Sequence, residues 1–342
     1  MGLVLLSCGS SSSARTGAGE TGGGPEAVEE DWEPDFVRSF GEGAELPVTT
    51  LPEVWTYVIA GQEAAYRSGL PISDIAYFGA GFDDYGSLVG VPRRQAIRGF
   101  SGRVHLTVAD KSRPQTHFLL VPESPQRRDM VASLLQAASG FDGLQLDFEN
   151  IPAKDGGNFL SLLRELRAGL GPGKMLTVAL YARTRALDGD VHDYLKIAPL
   201  VDRIVVMAYD EHWSGSSPGP ISSLGWGKRV AEYALRTIGR EKLVMGLPFY
   251  GRAWADVGHS RAYVYEGIRR VARENGVTDI RRENGIPTFK YGAKINVTVY
   301  FEDEHSLALR MDMYRSLGVR AIGFWRLGQE TPAMWKYLKL GG

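Results

Sequence analysis

Between Phe141 and Asn150 the chain reads Phe-Asp-Gly-Leu-Gln-Leu-Asp-Phe-Glu-Asn, with apolar and polar groups alternating from Leu144 onward. Successive side chains of a strand point to opposite faces. Leu144, Leu146 and Phe148 therefore share one face, and Gln145, Asp147 and Glu149 share the other. The Cα atoms of Asp147 and Glu149 would stand ~6.5–7 Å apart on that polar face. Two carboxyl groups so placed are candidates for general acid–base work, provided the strand is covered. A half-solvated strand of an antiparallel sheet would show the same alternation, with its polar face simply in water. Helical patterns flank this segment on both sides, however, and parallel sheets between helices are covered on both faces. Ionisable groups buried there are costly unless paired or hydrogen-bonded.

The elements that must position this pair recur along the chain. Residues 54–60, 74–82, 103–109, 143–150, 175–182, 203–209, 243–250 and 321–325 read as strands. Helical patterns lie between them, for example at 126–139, 158–170, 228–238 and 306–317. Such alternation implies parallel pairing through right-handed crossovers. Eight units suggest a closed (β/α)8 barrel, an α/β fold, and no Gly-x-Gly-x-x-Gly turn follows the first strand to favour a dinucleotide fold. Asp147 and Glu149 would then stand at the C-terminal end of the fourth strand, where barrel active sites lie. The connection from Tyr250 to Ala321 holds a helical pattern at 265–275 and strand-like pieces at 288–291 and 296–301. It predicts a small α+β insertion between strands 7 and 8, about 255–303, forming one wall of a groove.

Composition narrows the partners. The formal charge of −1 comes with no long basic run, which excludes nucleic acid as the main partner. A single cysteine, Cys8, excludes an internal disulfide framework and a cysteine metal cage. The six histidines show no metal-ligand spacing. No cofactor and no metal are expected, and the chain is expected to be a monomer. Leu5-Leu6-Ser7-Cys8 resembles the lipobox of bacterial lipoproteins, and a Ser/Gly/Thr/Glu tract follows it. The expected organisation is a lipoprotein signal remnant at 1–8, a disordered polar tether at 9–45 and the barrel at 46–340. Lipidation of Cys8 would make the protein an exported lipoprotein tethered to a membrane or cell surface.

The motifs at the strand ends resemble those of glycoside hydrolase family 18. That family's fourth strand carries Asp-Gly-x-Asp-x-Asp-x-Glu, against Asp142-Gly143-Leu144-Gln145-Leu146-Asp147-Phe148-Glu149 here. Met207-Ala208-Tyr209-Asp210 resembles the end of the sixth strand. Met245-Gly246-Leu247-Pro248-Phe249-Tyr250-Gly251-Arg252-Ala253-Trp254 resembles the seventh, and Gly323-Phe324-Trp325 the eighth. Tyr209-Asp210-Glu211-His212-Trp213-Ser214-Gly215, Tyr300-Phe301-Glu302-Asp303 and Trp325-Arg326-Leu327-Gly328-Gln329-Glu330 look most like the spore-germination and cortex-fragment-lytic subgroup. The likeness runs from about Pro52 to Trp335.

The resemblance implies a retaining glycosidase acting on β-linked N-acetylhexosamine glycans of the peptidoglycan or chitin type. In that family the substrate's own acetamido oxygen replaces a carboxylate nucleophile. Glu149 would be the general acid, Asp147 would support the acetamido group, Tyr209 would steady its carbonyl and Trp325 would form the floor. Asp210, Trp213, Tyr250 and Arg252 are implied as sugar-binding groups. Gln145 departs from the pattern, standing where the family has its middle Asp. Its amide is expected to donate to Asp147 and hold that carboxylate ionised. The alternative function is a catalytically silent lectin that binds amino sugars on the same barrel.

Overall fold

A computed structural model describes residues 45–292 and 295–341. Cys8, the signal remnant and all of the expected tether except Glu45 lie outside the described residues. Strands Glu53–Ile59, Asp74–Phe82, Arg103–Ala109, Gly143–Asp147, Met175–Tyr181, Arg203–Met207, Leu243–Pro248 and Ala321–Trp325 pair in sequence order, all parallel, and the first pairs with both the second and the eighth. The eight strands thus close into a barrel, as the alternation of elements predicts. They are counted below as barrel strands 1 to 8.

The alternation within each strand sorts side chains between two cores. Leu144 and Leu146 of strand 4, and Phe148 just past its end, belong to the layer between strands and helices. Trp55, Tyr57, Ala76, Phe78, Ala179, Val205 and Met207 fill the barrel interior. Helices Arg113–Leu120, Pro125–Ala138, Gly156–Gly169, Leu224–Thr237 and Glu304–Ser316 cover the outside. The connections after strands 1 and 2 hold no α-helix, only the 3-10 turns Glu63–Ala65 and Arg94–Ala96 and the short strand Leu88–Val89, so the helical ring is incomplete there.

Ion pairs close the N-terminal end of the barrel. Arg203 reaches Glu53 at 2.8 Å, Arg103 reaches Asp74 at 2.6 Å, and His105 lies 2.8 Å from Asp74. This floor explains the Asp-Gly that opens strand 4. Asp142 accepts from the Val104 N–H and from Arg94, while a Cβ at Gly143 would overlap His105 and the Met175 carbonyl. The first two residues of the carboxylate motif are therefore structural.

The insertion begins earlier than expected. Its antiparallel sheet includes Gly251–Ala255, Ser260–Tyr263, Arg281–Glu283, Ile286–Gly292 and Asn296–Tyr300, with helix Tyr265–Glu274 packed against it through Ile268 and Ala272. Strand 7 stops at Pro248, so residues 251–255 belong to the insertion and carry Arg252 and Trp254 with them. At its far end Glu302 and Arg310 form a fully buried ion pair at 2.9 Å, and Arg310 also donates to the Ser222 carbonyl. That pair ties the insertion, the last helix and the loop after strand 6 together.

Candidate active site

Strand 4 ends at Asp147, and Glu149 stands just beyond it. Asp147, Glu149, Tyr209 and Trp325 line one cavity at the C-terminal mouth together with Tyr57 and Met207. Sequence reasoning thus places four of its site residues around a single space. Trp325 rests on the edges of Tyr57 and Phe78, with ring centroids 5.1 and 5.4 Å away. Tyr209 projects from beyond strand 6, where Gly246 leaves it room: a Cβ there would press on its ring and on the Val206 carbonyl.

Glu149 is held by groups from both neighbouring strands. The Tyr181 hydroxyl, at the end of strand 5, donates to Glu149 Oε2 at 2.7 Å. From the end of strand 3, Asp110 accepts the Glu149 N–H at 3.0 Å and the Asn150 N–H at 2.8 Å. Asp110 also takes the Asn150 amide at 3.1 Å and the Thr116 hydroxyl at 2.7 Å. His192 takes up the opposite side. The Tyr181 N–H donates to His192 Nδ1 at 3.5 Å, so Nε2 carries the proton that faces the Phe148 carbonyl at 3.0 Å.

The electrostatics favour protonated acids. Burial pushes the Glu149 carboxyl above its ordinary range; the Tyr181 hydrogen bond pulls it back, and the charges of Asp110 and Asp210 push it up again. Asp147 is driven further up by burial, then by Glu149 and Asp110. Burial likewise lowers the His192 imidazole to about 4, which keeps it neutral at ordinary pH.

Gln145 lies one layer below, buried beneath the cavity. Its Oε1 accepts from Thr107 at 3.4 Å, while its Nε2 and Asp147 Oδ1 are both buried without a partner. The expected donation from Gln145 to Asp147 is therefore not made. Without it, burial and the neighbouring carboxylates favour the protonated Asp147, contrary to the expectation of a fixed charge.

The remaining sugar-binding candidates stand on the wall beside the cavity. Tyr250 is buried with its hydroxyl committed to Asp210. Asp210 faces solvent with a left-handed backbone, φ 57°, a conformation that costs on the order of 1 kcal/mol away from glycine. Arg252 belongs to the insertion, and its charge bears on Asp210. Trp213 sits in the loop after strand 6, its carbonyl accepting from Trp254 Nε1 at 3.2 Å. The loop and the insertion are thereby joined into the groove wall that the long connection predicts. Asp110, Tyr181, Tyr57 and His192 were not anticipated. For the first two a signal existed, since each is a polar residue at the C-terminal end of a barrel strand.

The comparisons agree with this geometry. YdhD of Bacillus subtilis (strain 168), which carries the name of a sporulation-specific glycosylase, is 32% identical over 214 residues, 59% of this chain and 50% of that protein. The cortical fragment-lytic enzyme of Bacillus anthracis is 27% identical over 234 residues, 64% of this chain and 54% of the enzyme. The chain thus spans about half the length of these relatives. The crystal structure of the Bacillus cereus spore cortex-lytic enzyme SleL superposes with a TM-score of 0.74 at 22% identity, covering 86% of this chain and 75% of SleL, a likeness of fold. The family model for glycosyl hydrolases family 18 matches residues 100–330, from the third strand to just past the eighth, and the chain belongs to that family.

Proposed function

We propose that this protein is a retaining glycosidase that cleaves β-linked N-acetylhexosamine glycans with Glu149 as general acid. The observation that carries this reading is the arrangement of carboxyl groups around the cavity. Its two acidic lining residues, Asp147 and Glu149, come from the same wall, two residues apart. A carboxylate nucleophile has to flank the scissile bond opposite the acid. Among the described residues no acid besides these two lines the cavity, so the substrate's acetamido oxygen is the nucleophile this reading assigns.

The roles then follow from position. Trp325 and Met207 give an apolar surface for the sugar ring and exclude water from it. Glu149, biased toward its protonated form, delivers a proton to the leaving oxygen and afterwards takes one from the water that opens the cyclised intermediate. Asp147 accepts the acetamido N–H as positive charge develops there. Since Asp147 and Glu149 repel each other's ionisation, proton loss from the acid accompanies a change at Asp147, and the two titrate as a pair. Tyr209 supplies a hydroxyl for the acetamido carbonyl.

The relatives' names favour a cortex-type peptidoglycan over chitin as the glycan class. The test is incubation with N-acetylglucosamine oligomers and with peptidoglycan fragments, following new reducing ends and the anomer first formed by NMR. Release of the β-anomer and inhibition by a thiazoline analogue are expected. Tight binding without cleavage would instead establish the lectin.

A further inference from the structure

We propose that Asp110 is the positioning residue of Glu149, suspending the backbone that carries the acid and standing beside it as a fixed charge. This rests on the reading of Glu149 as the general acid.

The pairing of strand 4 shows why such a residue is needed. Its register with strand 3 ends at Ala109 and Asp147, and its register with strand 5 ends at Leu146 and Val178. Residues 148–150 therefore carry the acid past the end of the sheet. Two side chains replace the missing ladder. His192 holds the Phe148 carbonyl from one side, and Asp110 holds the Glu149 and Asn150 N–H groups from the other.

Three partners of Asp110 can only donate to it, namely two backbone N–H groups and the Asn150 amide, and the Thr116 hydroxyl stands 2.7 Å away, shared with the Ser112 carbonyl at 2.8 Å. Hydrogen bonds donated to a carboxyl group favour its charged form. Burial pushes the Asp110 carboxyl above its ordinary range, and these hydrogen bonds pull it back toward the ionised form in which it bears on Glu149. The groups facing it are Asp147, Glu149 and Asn150 from the strand 4 segment, Thr116 from the following helix and Tyr181 from strand 5. None of them is a cation, so the charge reaches Glu149 offset only by dipoles. A residue that merely braced the loop would leave the titration of Glu149 where it is.

The test uses the full chain carrying 13C-labelled glutamate, with the Glu149 carboxyl signal assigned by its loss in Glu149→Gln. Its titration is followed by NMR in the parent, Asp110→Asn and Asp110→Ala, and kcat and KM are measured on a chromogenic N-acetylglucosamine oligomer. Asp110→Asn is expected to lower the Glu149 midpoint by about one pH unit and to move the high-pH limb of kcat/KM down with it. A loss of ~10–100-fold in kcat with KM little changed is expected from the loosened segment. Should Asp110→Ala fail to fold, the nearly isosteric Asp110→Asn decides. An unmoved Glu149 midpoint in folded Asp110→Asn overturns the proposal, whatever happens to kcat. If the parent cleaves no amino-sugar glycan, the functional reading fails, while the NMR midpoint still decides on Asp110.

Discussion

Tyr181 donates its hydroxyl hydrogen to Glu149 Oε2 across 2.7 Å, from the end of the neighbouring barrel strand. A hydrogen bond to the charged form of an acid favours that form. Tyr181 therefore opposes the burial and the Asp110 charge that favour the protonated acid, and it also fixes which way the carboxyl points.

Replacing Tyr181 with Phe should accordingly raise the Glu149 proton affinity. The high-pH limb of kcat/KM moves to higher pH, opposite in sign to the shift expected for Asp110→Asn. The maximum should fall by about 10-fold because the carboxyl loses its aim. A pH–rate profile from pH 4 to 9 checks this. A limb that stays in place or moves down would show that the hydroxyl does not tune the acid.

Gln145 contributes less to the fold than a partner of a buried charge would. Its Nε2 is unpartnered and its Oε1 makes one contact of 3.4 Å, so Gln145→Leu should change the unfolding free energy by less than about 1 kcal/mol. Gln145→Asp is different, because it buries a new acid near Asp147. The folded pKa of that acid would lie above its unfolded value near ~3.9, so the folded state binds more protons than the unfolded one. Stability should fall as pH rises from about 4 through the folded pKa. Urea unfolding at several pH values measures both; a pH-independent difference between the parent and Gln145→Asp would contradict the second.

His192 makes the opposite contribution. Its folded pKa is depressed from 6.5 to about 4 by burial, so the unfolded chain binds the extra proton between those values. The stabilisation is fully present above pH 6.5 and is lost as pH falls toward 4, at most ~3 kcal/mol. The stability gap between the parent and His192→Asn should therefore narrow on acidification across that window. A gap of constant size would mean that the ring is not buried neutral.

The barrel was legible because its signal is periodic and repeated. Leu144, Leu146 and Phe148 alternate with Gln145, Asp147 and Glu149, and the structure places the first set under the helices. Tyr209 and Trp325 were legible through motifs at strand ends. The insertion's first strand was not, because the apolar residues of Leu243–Pro248 continue through Phe249, Tyr250, Ala253 and Trp254 without a break in pattern. Helix starts were missed where glycines weaken the signal, as at Gly156-Gly157 and at Gly225 and Gly227. Asp110 and His192 work by holding backbone groups of a segment far away in sequence, and no local spacing announces that. The Gln145 expectation failed for a related reason, since direction along the strand does not say whether two neighbouring polar groups meet.

Glu149→Gln bears most directly on the central claim. General acid–base groups supply ~10²–10⁴ in rate, so the variant should lose ~3–5 kcal/mol of transition-state stabilisation while folding and oligosaccharide binding are retained. The measurement is reducing ends released from N-acetylglucosamine oligomers and peptidoglycan fragments by the parent and the variant at equal concentration. Cleavage by the parent with a loss of at least ~100-fold in the variant is the expected result; turnover unchanged by the substitution would contradict the account.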